Sequence, residues 1–264
     1  MNSVEQFGKS ALVTGAARGI GFATAAALGR GGASVTITDV DEARLVQAER
    51  LLSEQGRSVL AARSDVRSFD DCRAAVEMSL NRFGRLDVLI NNAGVSMVSR
   101  FDQCDPEPCR RLIEVNLIGS VNMTLAAVDE IKKNRGSIVF VSSVSGIRAI
   151  PEGSLYSASK AAMRSLADAL RLELASSGVH VGCICPGFTS ADPEKTVMRG
   201  DGASRPINRP PHDTPERVAA AIVKMVENRR REMVLTPVGK LTAILQRLSP
   251  ALLERLLMGR TLQN

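Results

Sequence analysis

The chain has 264 residues, 44% hydrophobic, 3% aromatic and 23% charged, with a formal net charge of +6 and a pI near 9.4. That hydrophobic share excludes a disordered chain, and no apolar run approaches the roughly 18 residues needed to span a bilayer. The basic charge is dispersed, with Arg229, Arg230 and Arg231 the longest run, and aromatics are too few for a base-stacking platform, so no nucleic-acid partner is expected.

Met1 to Ser10 is polar and leads directly into an apolar strand, so no secretory leader is read and a cytoplasmic protein is expected. Cys72, Cys104, Cys109, Cys183 and Cys185 form no CxxC pair, and the two histidines, His180 and His212, lie in unrelated contexts. Reduced thiols are expected, with no disulfide framework, no metal site and no histidine-based triad.

In chain order, short apolar runs alternate with segments of helical period, the pattern of a parallel sheet covered on both faces. Strands are predicted at Ala11–Thr14, Ser34–Thr38, Ser58–Ala62, Leu86–Ile90, Ser137–Ser142, His180–Cys185 and Glu232–Leu235. Helices are predicted at about 19–31, 41–55, 69–82, 107–133, 155–176 and 215–228. Ser68 with Asp70 and Asp71 marks a helix start and Gly84 its end; Thr214-Pro215-Glu216 marks another start. The one long aperiodic segment, residues 186–213, is rich in Gly, Pro and Arg and reads as a lid over a site.

The first strand runs into Thr14-Gly15-Ala16-Ala17-Arg18-Gly19-Ile20-Gly21, and a helix follows at once. Glycines there permit a tight turn and let backbone approach a pyrophosphate, whose charge sits on the helix N-terminus. The spacing departs from GxGxxG, with three residues between the first two glycines. At the end of the second strand stands Asp39, eighteen residues after Gly21. A carboxylate at that place accepts the ribose hydroxyls of NAD and repels the 2′-phosphate of NADP; the competing reading is an aspartate in a turn or helix cap. Arg18 is placed to contact phosphate. NAD is favoured over NADP.

Tyr156, the only tyrosine, stands four residues before Lys160, so the two share one helix face. A phenol titrates near 10, too high for a base at neutral pH, and a neighbouring ammonium favours its ionised form. Ser143, thirteen residues upstream at a strand end, offers a hydroxyl for a substrate oxygen.

These motifs, in this order, resemble the short-chain dehydrogenase/reductase family, in its branch of about 250 residues, from about Lys9 to Leu235. The glycine segment matches the family's phosphate loop, with Gly15, Arg18, Gly19, Ile20 and Gly21. Asp65 and Val66 match the adenine contact, and Asn92, Ala93 and Gly94 line the cofactor, while Asn91 reads as a bridge between strands. The resemblance implies that Tyr156 exchanges the proton, Ser143 polarises the substrate oxygen, and Lys160 binds the nicotinamide ribose. It further implies that Asn116 anchors a water of the proton relay and that Pro186, Gly187 and Thr189 touch the cofactor. One departure stands out: where the family often has a threonine five residues past the proline, this chain has Ala191, preceded by Thr189 and Ser190.

The implied fold is a Rossmann-type, doubly wound α/β domain spanning residues 1–264, with a seven-stranded parallel sheet and the site at the strands' C-terminal ends. The implied reaction is NAD-linked interconversion of a secondary alcohol and a ketone, on an apolar, lipid- or steroid-like substrate. The alternatives are NADPH-dependent reduction of 3-oxoacyl thioesters and a non-catalytic NAD sensor. The lid arginines Arg199, Arg205 and Arg209 read either as an anion site or as solvated side chains. Residues 239–264 carry two short helices joined at Ser249-Pro250, bearing Leu241, Ile244, Leu245, Leu248, Leu252, Leu253, Leu256, Leu257 and Met258 with Lys240, Arg247, Arg255 and Arg260 interleaved. This tail is expected on the pocket rim or against a second subunit, with a membrane surface as the third destination. Small and apolar residues on the helices at 107–133 and 155–176, paired between subunits in the family, imply a homodimer or homotetramer.

Overall fold

Runs such as Ser10–Thr14 and Ser137–Val141 have no solvent-facing side, and a strand of that kind needs cover on both faces. A computed structural model of the chain, describing residues 8–189, 196–207 and 213–261, shows that cover. Its strands are β1 (Ser10–Thr14), β2 (Ser34–Asp39), β3 (Val59–Arg63), β4 (Val88–Asn91), β5 (Ser137–Val141), β6 (His180–Cys185), β7 (Thr196–Met198), β8 (Ser204–Pro206) and β9 (Glu232–Val234). Seven form one parallel sheet in the order β3-β2-β1-β4-β5-β6-β9, with Ala11 opposite Val35 on one side and Val88 on the other. The expected Rossmann-type sheet is therefore present, its strand bounds within two residues of those read from the sequence.

The helices are α1 (Gly19–Arg30), α2 (Glu42–Glu54), α3 (Phe69–Phe83), α4 (Pro106–Ile113), α5 (Gly119–Lys133), α6 (Ser154–Glu173), α7 (Pro215–Glu227), α8 (Pro237–Leu248) and α9 (Pro250–Thr261). Side chains of α1, α2 and α7 fill the core on one face, around Val13, Leu28, Ile37 and Ile222. Those of α3, α5 and α6 fill the other, around Leu12, Met123, Phe140 and Met163. The caps form as read: Ser68 accepts from the Asp71 N–H (3.2 Å), Gly84 adopts φ +74°, and Thr214 accepts from the Arg217 N–H (3.3 Å).

Two segments differ from the sequence reading. The single helix expected over 107–133 contains a π-helical turn, Glu114–Ile118, between α4 and α5. The whole run, Pro106–Lys133, is long and apolar enough to cross a bilayer, yet Leu112, Met123, Ala127 and Ile131 are core residues. The aperiodic 186–213 segment holds the antiparallel hairpin β7–β8, pairing Val197 with Arg205. Strands of three residues show no period. This hairpin is ordered by main-chain bonds to a distant segment, Met198 N–H to the Ser96 carbonyl (2.9 Å) and Val98 N–H to the Met198 carbonyl (3.0 Å).

In the tail, α8 and α9 meet at Ser249-Pro250 as expected, and Thr236 caps α8 by accepting from the Gly239 N–H (3.0 Å). The side chains of Leu256, Leu257, Met258 and Arg260, like Ser190, Ala191, Arg209 and His212, lie outside the described residues.

Candidate active site

At the C-terminal ends of the strands, where the order reverses between β1 and β4, opens a cleft of about 1000 Å³. Such a switch point is where ligands bind in open α/β sheets. The glycine loop forms its floor. Gly15 and Gly19 have φ of +61° and +58°, a region closed to most side chains, and a Cβ on Gly21 would stand 2.2 Å from the Gly15 carbonyl oxygen. The loop is tied to the end of β4: the Thr14 hydroxyl accepts from the N–H groups of Asn92 (3.0 Å) and Ala93 (2.9 Å). In return the Asn92 amide donates to the carbonyls of Thr14 (2.8 Å) and Gly15 (3.0 Å). The N-terminus of α1 therefore faces the cleft with Arg18 and Ile20 beside it, an arrangement that fits a pyrophosphate.

Asp39 ends β2 at the cleft wall. Its carboxylate accepts from the Ala17 N–H (3.2 Å) and the Asp41 N–H (3.1 Å), while Asp41 is the residue that caps α2. The helix cap therefore falls to Asp41, while Asp39 makes the strand-end turn of the competing reading and also braces the glycine loop. Asp65 lines the cleft in an ion pair with Arg67 (2.6 Å), whose hydrogen bonds hold its carboxyl below the usual range. Val66 fits because residue 119 is glycine: a Cβ there would meet the Val66 side chain at 2.5 Å.

Tyr156 and Lys160 stand on the first turns of α6, the ammonium 5.9 Å from the phenol ring centroid. Lys160 is buried and donates to the Val141 carbonyl (3.0 Å), and its own carbonyl accepts from the Ser142 hydroxyl (2.7 Å). A Cβ on Gly94 would lie 3.2 Å from the Lys160 Nζ and 3.1 Å from the Asn116 Oδ1, so a larger residue would crowd this corner. Ser143 caps the short turn Val144–Gly146, its Oγ accepting from the Ser145 N–H (3.1 Å), and lines the same cleft.

Asn116 lies in the π-helical turn, fully buried. Its Oδ1 accepts from the Val95 N–H (2.8 Å), and its Nδ2 donates to the Val95 carbonyl (3.0 Å) and the Ser159 hydroxyl (3.0 Å). Ser159 donates in turn to the Tyr156 carbonyl (2.7 Å). The side chain is thus spent on holding the Val95 loop and the first turn of α6. A π turn is a frequent mark of a functional position, because its extra residue re-aims the backbone.

Pro186, Gly187 and Thr189 line the cleft; Thr189 is buried and donates to the Gly187 carbonyl (3.1 Å). The outer wall, which the sequence did not reveal, is mixed: Met97, Val98, Ile150, Phe188, Val197 and Met198 stand among Ser96, Glu152, Thr196, Ser204 and Arg205. Of the lid arginines, Arg205 reaches the cleft. Arg199 lines an adjoining hollow and lies 3.5 Å from Asp201. Sequence reasoning also missed Thr14, Ser142 and Ser159. The available signal was a hydroxyl directly beside each recognised motif.

A family model for short chain dehydrogenase matches residues 9–201. The chain is 36% identical over 243 residues to Oxidoreductase UcpA of Salmonella typhimurium, covering 90% of this chain and 87% of that one. It is 30% identical over 256 residues to Ketoacyl reductase HetN of Nostoc, covering 94% and 88%. A solved short chain dehydrogenase/reductase from Burkholderia phymatum in complex with NAD superposes with a TM-score of 0.82 at 25% identity, covering 91% of this chain and 93% of that one. With the glycine loop, the Tyr156–Lys160 pair and the matching fold in one cleft, the chain belongs to the short-chain dehydrogenase/reductase family. It is an oxidoreductase of the nicotinamide-dependent class.

Proposed function

We propose that the protein interconverts a secondary alcohol and a ketone with NAD as partner, on a substrate with an apolar body. The observation that carries this reading is the convergence of Tyr156, Lys160 and Ser143 on one cleft with the glycine floor. Bound NAD supplies a two-electron acceptor for hydride. The Tyr156 hydroxyl exchanges the proton of the substrate oxygen, as a positioned acid/base. The Lys160 ammonium, held by the Val141 carbonyl beside Gly94, would bind the nicotinamide ribose. Ser143 donates to the substrate oxygen and fixes its pose. Asn116 positions Tyr156 through Ser159.

Asp39 supports NAD, because a carboxylate at the end of β2 beside the glycine loop would repel a 2′-phosphate. The apolar members of the outer wall, Met97, Val98, Ile150, Phe188 and Met198, support a lipid- or steroid-like body. A second reading, reduction of 3-oxoacyl thioesters with NADPH, is favoured by the likeness to HetN and disfavoured by Asp39. Exposed apolar side chains on α5 and α6, Leu125 and Leu172, support a homo-oligomer built on these helices. Following NADH fluorescence across alcohols from short aliphatics to sterols tests the substrate class. Turnover of bulky apolar alcohols with NAD is the expected result; activity confined to 3-oxoacyl thioesters with NADPH would replace this reading with the second.

A further inference from the structure

Helix α8 turns most of its large apolar side chains outward. Its inward side holds Gly239, buried, with Thr242, Ala243, Leu245 and Gln246 half-buried, so Leu245 is the one large apolar side chain there. Its outward side carries Val238, Leu241, Ile244 and Leu248, the last 79% exposed, and Leu252 of α9 is exposed as well. At 3.6 residues per turn the four α8 side chains fall within an arc of about 120°. An apolar stripe that turns from its own core is the mark of a surface meant to be covered.

Charge narrows what covers it. Lys240 and Arg247 flank one edge of the stripe, and Arg255 follows on α9; all three are exposed. The neighbouring acids are engaged within the chain, Glu254 lying 3.8 Å from Arg148 and Glu232 2.5 Å from Arg164 and 3.7 Å from Arg247. A second copy seated on this face by a twofold axis would bring like charges together. Long cationic side chains at the rim of an apolar stripe instead match a lipid surface, where stems lie on hydrocarbon and heads reach anionic phosphates. The described residues of α8 and α9 are not among those lining the cleft. They pack behind it: a Cβ on Gly239 would meet Val144 at 2.6 Å, and Val144 is a cleft residue.

We propose that the outward face of α8, with Leu252, docks the protein peripherally on an anionic lipid bilayer. Docking of this kind is reversible, because one short amphipathic helix with a few cations anchors weakly. It does not depend on which substrate the cleft accepts.

The test is co-sedimentation of the full chain with phosphatidylcholine vesicles, with and without a phosphatidylglycerol fraction. Wild type is expected to sediment with the anionic vesicles alone and to be released as salt rises. The triple variant Leu241→Gln, Ile244→Gln, Leu248→Gln, altered only at exposed positions, is expected to partition at least about tenfold more weakly. Removing charge with Lys240→Gln and Arg255→Gln is expected to cost roughly fivefold per residue. The second variant keeps the question open to refutation even if the first folds poorly. Wild type remaining in the supernatant, or either variant binding as well as wild type, overturns the proposal. So does a triple variant whose mass by light scattering falls to a fraction of wild type, because the face then belongs to a second copy.

Discussion

The two halves of the cleft are made by different means. On the cofactor side, strand ends and the glycine loop are locked by main-chain geometry: positive φ at Gly15 and Gly19, the contact of Gly21 with the Gly15 carbonyl, and the Thr14 hydroxyl joining β1 to the end of β4. On the substrate side, the wall is a hairpin of two three-residue strands with mixed apolar and polar side chains, joined to the body through Ser96–Val98 and Thr189. Backbone constraint admits one residue type per position, whereas a mixed wall admits many. The cofactor side should therefore be intolerant of substitution and the substrate side tunable.

Gly21→Ala tests the intolerant side most severely. The added Cβ would stand 2.2 Å from the Gly15 oxygen, and relieving such overpacking costs about 1–3 kcal/mol. The dissociation constant for NAD is expected to rise at least about tenfold with the circular dichroism unchanged; unaltered affinity would break the comparison. Asp39→Ala should narrow the preference for NAD over NADP by about tenfold, by removing a repulsive carboxylate. It should also weaken NAD itself, because the brace on the Ala17 N–H is lost. Fluorescence titration of both cofactors reads the two effects separately. On the tunable side, Met198→Ala is expected to alter KM for bulky alcohols several-fold while leaving NAD affinity within about twofold. Equal effects on both would mean that the halves are not separate.

The smallest effect expected is on stability against pH. His180 is buried against Ser137 and the Arg230 carbonyl, and burial lowers its pKa from the ordinary 6.5. The unfolded chain then takes the proton more readily than the native one. Its contribution is fully present above about pH 6.5 and is lost as pH falls through the lower native value. Urea midpoints measured from about pH 7.5 to 5 should decline, and His180→Asn should flatten part of that slope.

The same division explains what was legible in the sequence. All seven sheet strands, the caps at Ser68 and Thr214 and the joint at Ser249-Pro250 follow from periodicity and from residues whose local conformations are restricted. The phosphate loop and the Tyr156–Lys160 pair were visible because their spacing puts them on one turn or one face and their order along the chain resembles the family's. The π turn at Glu114–Ile118 was not, because an apolar helix keeps its composition when it gains a residue. Nor was β7–β8, whose order comes from partners about a hundred residues upstream, at Ser96 and Val98. The outward stripe of α8 was read as apolar, but which way it faced depended on Gly239 fitting against Val144.

The central claim is that Tyr156, supported by Lys160, moves the proton in a nicotinamide-linked reaction. Single-turnover NADH fluorescence on wild type and Tyr156→Phe, with the dissociation constant for NAD measured in parallel, tests it directly. The account predicts a fall in turnover of at least about a hundredfold with NAD affinity nearly intact. Turnover within a few-fold of wild type would contradict it and remove Tyr156 from the mechanism.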